Sequence, residues 1–214
     1  MRRPEVALID FGVGNLLSVQ RALEYCGANA NVTADRAEIL AADRVVLPGV
    51  GAFASGMAEL RRLGLDDVVK EVAAKGRPLL AICLGMQFLL DVSEEFGETP
   101  GLGLIPGRVI AVPPATADGG TQKVPHIGWN ALVASKHTET WAATLLEDIQ
   151  PGEAMYFVHS FMATPADPAH RVADCLYGGV RIPAAIGLGS VFGCQFHPEK
   201  SGTVGLRMLR RFLR

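Results

Sequence analysis

Residues 79–90 read LLAICLGMQFLL, and within them only Gln87 is frankly polar. How Cys83 is read decides what surrounds it. RPLLAIC has the length and apolarity of a buried strand, and LGMQFLLDVSEEFG after it has the length of a helix, so the change of element falls at the cysteine. Small residues flank it at −2 (Ala81) and +2 (Gly85). That is the spacing of a nucleophile elbow, in which a sharp strand-to-helix turn lifts one side chain clear of the sheet. The N–H groups and positive dipole end of the following helix favour a thiolate there. The Leu84 N–H would point at an oxyanion formed on attack. The competing reading is a core cysteine, since free cysteine is among the most buried residue types.

The same alternation extends outward. EVALID reads as a strand. LLSVQRALEYCGA has helical spacing at Leu16, Val19, Leu23 and Cys26 and closes at Gly27. DRVVLPGVGAF reads as a strand stopped by Pro48 and the glycines, and MAELRRLGLDDVVKEVAAKG as one helix ending at Gly76. Strands alternating with helices imply an α/β fold with a central, mostly parallel sheet flanked by helices. After residue 106 glycine and proline become frequent. GRVIAVP, PHIGWNALV, AMYFVHSFMA, RVADCLYGG and AAIGLGSVFGCQFHPE are short β-type runs, so antiparallel strands are expected to be added in the second half. PPATADGGTQK is a turn-rich loop. TVGLRMLRRFLR closes the chain as a helix with Leu206, Leu209 and Leu213 on one face and its arginines on a solvated one. No repeat or disordered linker is seen.

A chain of 214 residues buries a substantial core and is most simply one domain, 1–214. A 49% hydrophobic and 20% charged composition is that of an ordinary soluble globular protein. A net charge of −2 gives no field favouring nucleic acid or an anionic membrane surface. MRRPEVALID is broken by Asp10 and is no signal peptide, and no apolar run approaches the ~20 residues of a membrane span. A cytoplasmic protein is expected. The cysteines (26, 83, 175 and 194) form no CxxC or zinc pattern, and no metal or organic cofactor is indicated. Cys26, Cys175 and Cys194 read as small buried hydrophobes.

A cysteine nucleophile needs a base, and the base an orienting group. His126, His137, His159 and His170 have no carboxylate at useful spacing. His197 does, because GCQFHPEKSG sets Glu199 two residues on. On an extended chain such residues share a side, about 6.5 Å apart, and Pro198 prevents a helix from continuing through them. Taken alone, HPE would be a strand end with an exposed ion pair. LPGVG (47–51) ends an earlier strand of the same expected sheet, at whose carboxyl ends reacting groups gather. Glycines on both sides of Val50 let a peptide turn its N–H into the site, or simply serve a βα turn.

AICLGMQ and FHPE together resemble the cysteine and histidine–glutamate motifs of the class I, or triad, glutamine amidotransferases. DFGVGNLLS, LPGVG, CLGMQ, KVPHIGWN, YFVHSF and QFHPEKSG are similar to the branch formed by the glutaminase subunits of imidazole glycerol phosphate synthase, and they span essentially the whole chain in order. The resemblance implies that Cys83 attacks glutamine, that His197 serves as acid and then base, and that Glu199 orients it. It also implies an oxyanion hole from the Leu84 N–H and one N–H of Gly49, Val50 or Gly51. Gln87 and Glu95 would help recognise the substrate's amino-acid end, and the backbone around Ser160 and Phe161 would meet its carboxylate. The implied partner is a (β/α)8-barrel cyclase that receives ammonia through a channel and whose ligand stimulates the glutaminase, with PGVG as a plausible switch. Asn15 and Trp129 are candidates for that interface, although Trp129 reads nearly as well as a core residue.

Other readings are a non-catalytic module on the same scaffold, a free-standing cysteine hydrolase such as a peptidase, or a glutaminase serving another synthase. A dinucleotide site at GVGNLL lacks the third glycine of GxGxxG.

Overall fold

The computed structural model describes residues 2–136, 138 and 140–214; His137 lies outside them. The first half runs β1 (Glu5–Ile9), α1 (Leu16–Tyr25), β2 (Asn29–Thr33), α2 (Arg36–Ala41), β3 (Arg44–Gly49), α3 (Phe53–Arg62), α4 (Leu65–Ala74), β4 (Leu79–Cys83) and α5 (Leu84–Phe88). Then come β5 (Val92–Ser93), β6 (Thr99–Pro100), β7 (Gly107–Ala111), β8 (His126–Ala134), β9 (Ala154–His159), β10 (Phe161–Pro165), β11 (Arg171–Tyr177), β12 (Val180–Leu188), β13 (Val191–Cys194) and α6 (Gly202–Phe212).

The period of two along each strand divides the core into two layers. Val6 and Leu8 of β1, Val46 of β3, and Leu80 and Ile82 of β4 pack with Val19 and Leu23 of α1 and with Met208 and Leu209 of α6. The alternate residues Ala7, Ile9, Val45, Leu47, Leu79 and Ala81 pack instead with Phe53, Met57 and Leu60 of α3, Val68 and Val72 of α4, and Phe88 of α5. Each of the larger of these side chains, fully buried, contributes about 1.5–3 kcal/mol. The strands order as β2-β1-β3-β4-β13-β12-β11-β8-β9. The pairs from β2 through β13 are parallel, and those from β13 to β9 are antiparallel. A second sheet, β10-β7-β5-β6, is hydrogen-bonded separately from it. The expected α/β architecture, parallel first and antiparallel later, is what forms.

Several elements depart from the sequence expectations. The helix expected over 57–76 is two helices, α3 and α4, because Gly64 takes φ +67° between them. The helix expected from 84 to 97 stops at Phe88. The returning segment donates Leu102 N–H to Phe88 O and both Leu104 N–H and Ile105 N–H to Leu89 O, taking carbonyls that further helical turns would have used. Strand β3 runs through Pro48 to Gly49, beside Ile82 and Cys83 of β4. AMYFVHSFMA splits at Ser160 into β9 and β10, which belong to different sheets. Strand β2 and helix α2 were not expected, the alternation in NANVT being too weak to read. Cys26 caps α1 half-buried, whereas Cys175 and Cys194 are fully buried. Arg207 and Arg211 of α6 are only partly solvated and pair with Glu153 and Glu147, and the more exposed Arg214 beyond the helix pairs with Asp148.

Candidate active site

At the end of β4 the chain turns at Cys83 with φ 55° and ψ −109°. This is a conformation that costs a non-glycine residue on the order of 1–3 kcal/mol and persists only when its surroundings enforce it. Glycine makes the enforcement possible. A Cβ at Gly85 would sit 2.0 Å from Leu47 O, and one at Gly49 would sit 3.0 Å from Leu84 Cβ, so β3 and the start of α5 pack backbone against backbone. A helix of five residues carries less aligned dipole than the longer one expected, so charge on the cysteine sulfur falls to individual donors. Gln195 is one such donor, its Nε2 3.6 Å from Cys83 Sγ. The Val158 carbonyl oxygen is 3.9 Å away on another side.

His197 follows β13, next to β4 in the sheet. Its backbone N–H donates to Tyr156 O at 2.9 Å. Ser201 Oγ donates to His197 O at 2.6 Å and accepts from Tyr156 N–H at 3.0 Å. With the main chain thus fastened, the ring places Nδ1 2.9 Å from Glu199 Oε1, and both side chains are buried. The intervening chain is a single 3-10 turn over Pro198–Lys200, not the extended segment expected, so the contact comes from a turn that folds the carboxylate back. His197 Nε2 has no hydrogen-bond partner among the described residues. Burial opposes a charge on this ring, but negative charge on the Cys83 sulfur and on the Glu199 carboxylate outweighs it and pushes His197 up to about 10.

These groups open on a cleft of about 390 Å³. Cys83, Leu84, Val50, Gly51, Gln87, Glu95, Ser160, Phe161 and His197, all singled out from the sequence, line it. Gly49 lies just outside, paired in register with Cys83, and Glu199 stands behind His197. Glu95 Oε2 accepts from Phe53 N–H at 2.6 Å, which caps α3 and fixes the carboxylate at the rim. Gln87 Nε2 donates to Phe161 O and to Gln195 Oε1, each at 3.0 Å, so only its Oε1 is left for a donor in the cleft.

Asn15 and Trp129 are not in the cleft. Asn15 precedes α1 and, with His197 and Glu199, borders a void of about 10 Å³. Trp129 is 58% exposed and Ile127 57%, on the outer side of β8, which removes the core reading of Trp129. The cleft also includes residues that the sequence reading does not single out, Pro125, Val158 and His159 in its lining and Gln195 beside the thiol. His159 lines the cleft, and its neighbour His126 is stacked between Phe157 and Tyr177. Burial lowers both rings to about 4, so they are neutral. Gln195 is fully buried. The same two-residue spacing that linked His197 to Glu199, applied backwards, would have found it. Burial pushes the Cys175 thiol up to about 12 and Cys194 well above its ordinary value, as suits inert core thiols. A larger cavity of about 460 Å³ lies at the amino ends of β4 and β13, beside Arg44 and Phe212, and the described residues that line it include no thiol or imidazole. Among the described residues no cluster of three or more His, Cys, Asp or Glu could hold a metal ion.

A family model described as glutamine amidotransferase class-I matches residues 7–214. Imidazole glycerol phosphate synthase subunit HisH 1 of Legionella pneumophila (strain Lens) is 51% identical over 208 residues, covering 97% of this chain and 98% of its own. Subunit HisH of Geobacillus thermodenitrificans (strain NG80-2) is 45% identical over 208 residues, covering 97% and 94%. Among solved structures, PurLQS from Thermotoga maritima superposes with TM-score 0.71 at 20% identity, over 99% of this chain and 98% of that one. A crystal structure of a glutamine amidotransferase gives TM-score 0.71 at 19% identity, over 97% and 96%. At such identities the structures speak to fold alone.

Proposed function

The chain belongs to the class I glutamine amidotransferase family, and from that premise we propose how its cleft works. It is a glutamine amidotransferase, the glutaminase subunit of an imidazole glycerol phosphate synthase, a heteromeric enzyme in which it has a partner subunit. In our reading 1–214 acts as one amidotransferase domain. The Cys83 thiolate attacks the side-chain amide carbon of glutamine. The Leu84 N–H and one N–H from 49–51 hold the oxyanion. His197 gives its proton to the departing nitrogen, ammonia leaves, and a thioester remains. The same imidazole then takes a proton from water, whose oxygen displaces the thiolate and releases glutamate. Glu199 keeps the ring oriented. Gln87 Oε1 and Glu95 meet the substrate ammonium, and the backbone at Ser160 and Phe161 its carboxylate.

Ammonia released into water would be protonated and lost as a nucleophile. The partner is therefore read as a (β/α)8-barrel cyclase that receives it through a channel. The exposed Ile127 and Trp129, with Asn15 behind the histidine, favour this side of the molecule for docking. No helix among the described residues is long and apolar enough to cross a membrane. The observation that carries the reading is Cys83 on a strained strand–helix turn, in one cleft with a histidine bonded to a buried glutamate.

The test is glutamate release from glutamine by wild type and Cys83→Ala, each alone and with the cyclase subunit and its nucleotide-type ligand. Strong stimulation of wild type and none of the variant is expected. Full activity without a partner would favour a free-standing hydrolase, and activity surviving in Cys83→Ala would return Cys83 to the core.

A further inference from the structure

We propose that Gln195 is a thiolate-supporting residue: its Nε2–H donates to Cys83 Sγ, and the polarity of its amide is dictated by the Phe161 carbonyl through Gln87. The proposal rests on the reading of Cys83 as the nucleophile and adds a group which that reading does not assign.

The two ends of a glutamine amide are told apart by their hydrogen-bond network, and a backbone carbonyl can only accept. Phe161 O is 3.0 Å from one amide end of Gln87, so that end is Nε2. The same Nε2 is 3.0 Å from Gln195, whose near atom must therefore accept and is Oε1. The remaining end of Gln195, its Nε2, then faces Cys83 Sγ at 3.6 Å.

Phe161 O is held from a second direction. His159 Nδ1 lies 2.8 Å from it and has to be the donor. His159 Nε2, left as acceptor, takes the Nδ1–H of His126 at 3.0 Å. His126 Nε2 meets Asn130 Nδ2 at 3.4 Å, and the Leu176 carbonyl at 2.9 Å fixes that Asn130 end as the donor. Two backbone carbonyls, far apart in sequence, thus set the direction of every bond between them, with both imidazoles neutral.

At the sulfur the outcome is a choice between protonation states. Val158 O, at 3.9 Å, can accept only from a neutral thiol, whereas Gln195 Nε2, closer at 3.6 Å, stabilises the thiolate. Gln195 is fully buried, and its backbone N–H is anchored to Ala184 O at 2.9 Å. What holds the amide with Nε2 towards the sulfur is the Gln87 donor at its Oε1.

The test follows iodoacetamide alkylation of Cys83 against pH by peptide mass spectrometry, without glutamine or partner. Gln195→Met keeps the length and burial of the side chain but removes the donor. It is expected to raise the alkylation midpoint by about one pH unit, a tenfold loss of thiolate near neutrality. Gln87→Glu presents only acceptors to Phe161 O and Gln195. The Gln195 amide then turns over and offers Oε1 to the sulfur, so the midpoint is expected to rise by a similar amount. In the double variant the two shifts should not add, because both act through one amide; additive shifts would mean that the new charge acts directly and would overturn the relay. An unmoved midpoint in folded Gln195→Met overturns the proposal. Should that variant not fold, Gln195→Asn decides instead: it retains an amide for Gln87 but stops one methylene short of Sγ, and the same rise is expected. Failure of the glutaminase reading would appear in glutamate release, and failure of this one in the midpoint.

Discussion

Strain at Cys83 is carried by the backbone, whereas its use lies in the side chain, so the two can be separated by substitution. Cys83→Ala and Cys83→Gly should both lose glutamate release. Glycine accepts a φ of 55° without penalty, so in urea titrations Cys83→Gly should be more stable than Cys83→Ala by about 1 kcal/mol. Equal stabilities would mean that the turn is not strained. The histidines make a second prediction. His126 and His159 are held down to about 4, below an ordinary 6.5, so their contribution to stability is complete above pH 6.5 and is lost as pH falls through 4. His197 has the opposite sign: raised to about 10, it contributes fully below pH 6.5 and less as pH rises through 10. Thermal melting should therefore decline on both sides of neutrality. His126→Phe can keep the stacking on Phe157 and Tyr177 but leaves His159 Nε2 without its donor. It should cost about 1–3 kcal/mol at pH 7 and flatten the decline between pH 6.5 and 4; an unchanged acid slope would acquit His126.

At the scale of elements, the turn from β3 into α3 and the start of α5 carry the N–H groups proposed as oxyanion donors. Gly51 has φ 102°, with nothing within 4 Å of a Cβ, whereas Gly85 would drive a Cβ to 2.0 Å from Leu47 O. Gly51→Ala should thus cost only about 1 kcal/mol of stability while impairing partner-stimulated turnover, because what it strains is the peptide orientation. Gly85→Ala should lose several kcal/mol, on the order of a severe core clash, and activity with it. Stimulated turnover unchanged in Gly51→Ala would remove the glycine strip from the mechanism. The lengths of α5 and of the α3–α4 pair were misread for one reason. Apolar spacing marks where a helix can bury a face, but its end was set by hydrogen bonds from residues 102–105 and by a left-handed glycine.

For the whole molecule, the exposed aromatic face of β8 is where the partner is proposed to dock. Trp129 and Ile127 project from β8, with Trp129 edge-on to Tyr156 at 6.1 Å and Lys200 over that ring. Trp129→Ala should cost only modest stability, since more than half of the ring is exposed, yet weaken association with the partner subunit by at least about 1–2 kcal/mol in titration calorimetry. Unaltered affinity would move the interface elsewhere. The sequence by itself determined the α/β alternation, the cysteine on its turn and the His197–Glu199 pair. Each of these is local, written in the period of apolar residues, in small residues at ±2, or in a spacing of two. Only the tertiary structure decided that β4 and β13 are neighbours, so that residues 83 and 197 share a cleft, and that Ser160 passes the chain from one sheet to the other. It alone joined Gln195, Gln87, Phe161 and the neutral histidines into one directed network. The physical reason is that a hydrogen bond between buried side chains depends on which atoms are left unpaired after packing, and that is settled between strands distant in the chain, not along any one of them.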